Sequence, residues 1–246
     1  MPSLGLTRNG NRLSSEGSSL ETSLHQQLKL HYAASADEIE VPLGAYRIDV
    51  VRGEELIEIQ CASLSAIRKK ILDLVQRHQV RVVKPSIHRV RICRRDKTQG
   101  PTISRRWSPR RTQLFDLFED LIYLRGVFPH PNLTLEVPVV EVNQYRWMRK
   151  RKSRRRRDPG YVVEDVELHQ VLSSIVVREP NDLWKLMPDG DLPSELRRAE
   201  TISTLALAES IGCPRWIAQR IVYVMRHCEA LHVARRDRGG IHYRVA

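Results

Sequence analysis

The chain has 246 residues, with 41 Lys and Arg against 29 Asp and Glu, giving a net charge of +12 and a pI near 10.0. That length allows two small domains with cores of their own, and that charge points to a polyanionic partner, nucleic acid ahead of an anionic membrane surface. Without an apolar run near the ~20 residues of a bilayer span, without a signal-peptide core and without C-x-x-C or H-x-x-x-H spacing, no membrane, disulfide or zinc framework is expected. The expected place is the cytoplasm, beside the nucleoid.

Residues 1–17, rich in Ser, Gly, Asn and Arg, predict a disordered arm. Residues 18–32 carry a helical pattern, with Leu20, Leu24 and Leu28 on one side and Glu21 near the start. A short strand follows at 39–43, and then two apolar/polar alternations flank Arg52-Gly53-Glu54-Glu55. Gly53-Glu54 suits a two-residue type II′ turn, with Arg52 opposite Glu55 and Asp49 opposite Glu58. Period-two alternation then puts Asp49, Glu58 and Gln60 on one face and Ile48, Val50, Ile57 and Ile59 on the other.

Like charges set opposite each other destabilise a sheet by a few tenths to ~1 kcal/mol, unless a cation sits between them. A hard divalent metal suits two carboxylates and an amide oxygen; the alternative is a solvated face neutralised by Arg47 or Lys69. Residues 63–77 predict a second helix, with Ile67, Ile71, Leu74 and Val75 inward and Arg68, Lys69 and Lys70 outward. A buried strand follows at 80–85.

An acid on the first helix, Asp on one strand and Glu-x-Gln on the next, in the order helix, strand, hairpin, helix, strand, resembles the PD-(D/E)xK nuclease superfamily over about residues 19–90. The resemblance implies that Glu21, Asp49 and Glu58 bind Mg²⁺ or Mn²⁺ and activate water against a phosphodiester, with Gln60 completing the catalytic set. Gln60 replaces the family's usual lysine and is neutral; Lys69 or Lys70 on the next helix is a substitute cation. The motifs L-H-x-x-L-K, R-I-D-V-V and I-E-I-Q also resemble an uncharacterised bacterial group.

Residues 87–95 alternate as a strand with a basic face, and 96–109 read as a loop bearing Arg105-Arg106-Trp107. An amphipathic helix is predicted at 112–124 and a strand at 133–142, where Pro138 argues for an edge position or a bulge. Residues 149–157 then carry eight positive charges, two-thirds of the net charge. Arg154, Arg155, Arg156 and Arg157 in this run are candidate phosphate contacts; the alternative is a solvated linker.

A further helix is predicted at 163–177, then a loop-like stretch at 178–200. Ser203 or Thr204 caps a short helix ending at Gly212, and Pro214 opens a second helix that runs to His227. Two strands joined by Arg236-Asp237-Arg238-Gly239-Gly240 close the chain. This stretch resembles the winged helix-turn-helix family over about 45 residues. The resemblance implies DNA contacts from Arg215, Gln219, Arg220 and Arg226 on the second helix and from Arg235, Arg236 and Arg238 on the wing. Winged helices also serve as dimerisation modules.

The expected fold class is α/β (α+β): a nuclease-like mixed sheet flanked by helices at 18–145, a basic linker at 146–160 and a winged-helix domain at 161–246. The expected function is a Mg²⁺- or Mn²⁺-dependent DNA endonuclease, with RNA as a weaker alternative substrate. The competing expectation is an inactive nuclease-like fold that regulates DNA through its winged helix.

Overall fold

The computed structural model describes residues 22–149 and 159–246. The first helix, α1 (Ser23–Tyr32), leads into β1 (Ile39–Leu43), β2 (Tyr46–Arg52) and β3 (Glu55–Ile59). The β2–β3 hairpin has the register its turn chemistry predicts, Arg52 opposite Glu55 and Val50 opposite Ile57. Gly53 at its first turn position has φ +59°, a value that glycine adopts without the clash a Cβ would bring.

After a 3-10 turn at Leu64–Ala66 come α2 (Arg68–Leu74) and β4 (Gln79–Val83). β5 (Ser86–Arg95), β6 (Thr102–Trp107), the short α3 (Phe118–Leu121, flanked by 3-10 turns), β7 (Leu133–Met148) and β8 (Tyr161–Val177) complete the large sheet.

β7 organises this sheet. Its first residues pair in parallel with β4 and its later ones in parallel with β5, while β8 runs antiparallel along both stretches. β8 therefore takes one edge of β7, and β4 and β5 share the other, end to end. The near half reads β1-β2-β3-β4-β7-β8, and the far half β6-β5-β7-β8.

Three expectations are corrected here. Of the two settings expected for Pro138, the edge position is wrong because β7 is central, whereas the β7–β8 register does shift close by, between Val139 and Val140. Pro138 itself falls between the last β4 pair, Val83 with Glu136, and the first β5 pair, Ser86 with Val139. At that break the ladder makes least use of the N–H that proline lacks. Residues 96–109 are not all loop, because β6 pairs antiparallel with β5. Residues 163–177 are no helix: they form most of β8, so the sheet runs past the expected basic linker, whose ends are joined as Met148 opposite Tyr161.

The sheet buries both faces. On one, Leu24 and Leu28 of α1 meet Val50, Ile57, Ile59, Val83, Val140 and Val142. On the other, α2, α3 and the C-terminal elements cover Ile48, Leu56, Val80, Val82, Leu133, Leu135 and Val137. Ile48 and Val50, expected on one face, belong to different cores, so β2 rolls over at Asp49, opposite a stretch of β1 where Glu40 has φ +57°.

The C-terminal part comprises α4 (Ser194–Arg197), β9 (Ile202–Ser203), α5 (Thr204–Ser210), α6 (Arg215–His227), β10 (Leu231–Asp237) and β11 (Gly240–Val245), with its strands in the order β10-β11-β9. Ser203 Oγ caps α5 by accepting from Ala206 N–H at 3.1 Å, and α5 ends at Gly212 with φ +64°. Ile217, Ala218, Ile221, Val222, Val224 and Met225 of α6 join the same continuous core as Phe118 and Leu121. No helix among the described residues is long and apolar enough to cross a membrane.

Candidate functional site

Asp49 and Glu58 stand where the β2–β3 ladder opens. Regular pairing stops at Val50 with Ile57. Beyond it, Asp49 Oδ2 accepts from Ile59 N–H at 2.8 Å, so a side chain takes the place of a strand carbonyl. The two acids draw cations from opposite sides of the sheet, which corrects the single face expected for them: Glu58 lies on the face away from Ile57 and Ile59, while Asp49 meets α1 on theirs. From α1, His25 Nε2 lies 3.3 Å from Asp49 Oδ2 and Lys29 Nζ 3.3 Å from Asp49 Oδ1; Lys29 also pairs with Glu40. From α2, Lys70 Nζ lies 2.5 Å from Glu58 Oε1 and donates to Arg47 O at 2.5 Å.

These surroundings push the acids apart electrostatically. Burial opposes ionisation of Asp49, but the hydrogen bonds from His25 and Ile59 and the charges of His25 and Lys29 hold its carboxyl below the usual range. Burial pushes Glu58 up to about 6; the nearby Asp49 charge adds to this, while Lys70 works against it. Glu58 Oε1 is buried, and its contact with Lys70 is an ion pair without hydrogen-bond alignment. A buried carboxylate oxygen so sparsely satisfied suits a hard cation. No group of three His, Cys, Asp or Glu side chains able to hold a metal occurs among the described residues.

Glu21 lies outside the described residues, as do Arg154, Arg155, Arg156 and Arg157. Gln60 follows β3 half-buried; its N–H donates to Val83 O at 2.9 Å, and its side-chain oxygen accepts from Ala62 N–H at 3.2 Å. Of the two lysines considered as substitutes, Lys70 reaches Glu58. The sequence reading missed His25 and Lys29. Their i, i+4 spacing beside the Leu24/Leu28 stripe was the available signal, since it places both on the flank of the buried face.

In the C-terminal part, Arg215, Gln219 and Arg226 are exposed on α6. Arg220 is instead half-buried, 3.6 Å from Glu119 and stacked on Trp216 at 5.4 Å. Tyr223 accepts from Arg125, so part of the exposed side of α6 leans on the residues around α3. On the β10–β11 hairpin, Arg236 and Arg238 are exposed and Arg235 lies 3.3 Å from Asp237.

No solved structure matches this chain. A protein of Treponema pallidum (strain Nichols), described as uncharacterized, is 29% identical over 164 residues, or 66% of this chain and 64% of the relative. The chain thus spans a little less than two thirds of that relative's length. A family model described as a domain of unknown function (DUF8091) matches residues 22–178. That span runs from the start of α1 through the end of β8 and takes in the whole large sheet with the Asp49–Glu58 pair. The chain belongs to the DUF8091 family.

Proposed function

We propose that this chain is a divalent-metal-dependent endonuclease acting on DNA, built on the PD-(D/E)xK plan. The observation that carries the reading is the presence of two largely buried acids, Asp49 and Glu58, at the open end of the β2–β3 ladder, near enough for the Asp49 charge to act on Glu58, with the Lys70 ammonium 2.5 Å from Glu58. Lys70 brings from α2 the positive charge that Gln60 does not supply from β3. The donor set suits Mg²⁺ or Mn²⁺, held by Asp49 and Glu58 with Glu21 as the third acid that the resemblance implies. When bound, the cation polarises a phosphoryl oxygen and lowers the pKa of its water.

The chain's own residues then have distinct tasks. Asp49, kept ionised by His25 and Lys29, is a ready ligand at any pH above the usual carboxylate range. Glu58 must be deprotonated to serve, so protons compete with the cation there, and burial, which raises its carboxyl, favours the proton. Lys70 neutralises negative charge beside Glu58, and the His25 ring 3.3 Å from Asp49 helps hold that carboxylate in place.

The order α4, β9, α5, α6 and the β10–β11 hairpin follows that of a winged helix, and supports delivery to duplex DNA by Arg215, Gln219 and Arg226 with Arg236 and Arg238. The charge and DNA partner favour a place at the nucleoid. A second reading, a DNA-binding regulator without cleavage, is favoured by one fact: both acids already have internal cations. The deciding experiment incubates supercoiled plasmid and linear duplex with the protein and Mg²⁺, Mn²⁺ or chelator. Nicking that needs the metal supports the enzyme. Inertness on single-stranded, duplex and branched DNA supports the regulator.

A further inference from the structure

The two faces of the far half of the sheet treat their arginines differently. On one face, Arg89 lies 3.7 Å from Glu141 and 4.4 Å from the centre of the Trp107 ring. Arg95, on the same face, lies 3.1 Å from Glu164 and 4.2 Å from the Tyr145 ring. That face supplies carboxylates to two of its arginines.

The other face does not. β5 and β6 set Ile92 opposite Arg106, and β5 and β7 set Arg94 opposite Arg146. With side chains alternating along each strand, Arg106, Arg94 and Arg146 therefore rise on one face of three adjacent strands ~4.8 Å apart, Arg94 directly beside Arg146 and Arg106 on the diagonal. No carboxylate among the described residues pairs with any of the three. Arg94 and Arg106 are exposed; Arg146 is half-buried, stacked on Tyr161 at 4.2 Å, with its Nε donating to Gln144 Oε1 at 2.5 Å. Like charges facing each other across a sheet destabilise it, so this arrangement burdens the isolated fold. Burial together with the charge of Arg106 lowers the Arg146 pKa, which places these side chains within each other's field. At the same end, Arg149 N–H donates to Gly160 O at 3.1 Å, and the sequence between β7 and β8 carries the eight-charge run.

We propose that the Arg94–Arg106–Arg146 face is a second DNA-binding surface, gripping the backbone phosphates of a duplex. The proposal rests on the nucleic-acid reading above, but not on cleavage. Three cations without an acid partner among the described residues, at the end of the sheet where the sequence places the eight-charge run, complement a row of phosphates. The aromatic ring of this cluster, Tyr161, is already covered by a guanidinium, so the face offers N–H donors to a backbone rather than a bare ring for a splayed base. The surface is formed by β5, β6 and β7, elements other than α6 and its hairpin.

The test uses the full chain in chelator, where cleavage cannot interfere, and a short fluorescent duplex titrated over a range of salt. The double variant Arg94→Gln/Arg106→Gln should bind every duplex sequence more weakly, with a log–log salt slope smaller by about 1.8, or 0.9 for each lost phosphate contact. Its melting temperature at low salt should match or exceed the parent's, because repulsion with Arg146 is relieved. An unchanged slope in a folded variant overturns the proposal. So does a loss seen only with single-stranded RNA or with anionic lipid vesicles. A parent that never cleaves but shows the slope change refutes the nuclease and leaves this surface standing; a parent that cleaves with the slope unmoved does the reverse.

Discussion

Glu58 is 3% exposed, and its carboxyl is pushed from 4.5 up to about 6. Burial is the largest cause and the Asp49 charge adds to it, with Lys70 offsetting part of both. Because the folded-state value lies above the unfolded one, the folded chain holds the proton more tightly between them. The stability this lends is fully present below about pH 4.5 and is lost as pH rises through about 6. The loss amounts to roughly 2 kcal/mol at 1.4 kcal/mol per tenfold change in proton affinity. Glu58→Gln removes the ionisation and keeps the shape, and its amide oxygen stays beside Lys70. In metal-free buffer near neutral pH the variant should exceed the parent by up to ~2 kcal/mol, or about 4–8 °C in melting temperature for a chain of this size. At about pH 4 the two should coincide, since Glu58 is then protonated in both states of the parent. Urea unfolding of both proteins at the two pH values reads the difference directly. Equal destabilisation of the variant at both would refute the reasoning and make Glu58 an ordinary ion-pair partner of Lys70.

Two further outcomes follow from the polar network under α1. Tyr32 Oη and Ser174 Oγ each donate to Glu136 Oε1 at 2.7 Å, so Tyr32→Phe should cost about 1–2 kcal/mol in urea unfolding, with the α1 face still formed. Arg81 bridges Glu55 and Glu136, and Arg81→Met leaves both acids without that cation. The expected loss is about 3 kcal/mol near neutral pH, recovered as acidification protonates the carboxylates; the same loss at both pH values would contradict the electrostatic origin.

The β2–β3 hairpin was legible because its information is local: a Gly-first turn and strict period two fix a register without help from the rest of the chain. The C-terminal helices were legible for the same reason, each having its own cap and stop. β8 was not. Its ladder with β7 shifts register near Glu164, His169 and Leu172, and each extra residue stretches the two-residue period to three. Val163, Val166, Leu168, Val171 and Ser174 thus fall at spacings of three, two, three and three, which imitate a helix. β6 was missed because T-I-S-R-R-W after Gly-Pro has loop composition, and only pairing with β5 makes it a strand. At the site, hairpin register brought Asp49 and Glu58 to the end of the ladder, but regular pairing stops one step short of them and the two acids meet opposite faces. The cations around them came from α1 and α2, whose docking on opposite faces is a tertiary outcome that no local pattern encodes.

The most direct measurement of the central claim is single-turnover DNA cleavage by the parent and by Asp49→Asn, with Mn²⁺ or Mg²⁺ at saturation. The substituted amide keeps an oxygen for Ile59 N–H, so the ladder end stays formed, while the charge facing Lys29 and His25 is gone. The endonuclease reading predicts metal-dependent cleavage by the parent, none detectable from the variant, and DNA affinity in chelator equal or slightly higher for the variant, since a negative charge has left the surroundings of the phosphate. Cleavage that survives Asp49→Asn, or a parent inert with both metals, would contradict it.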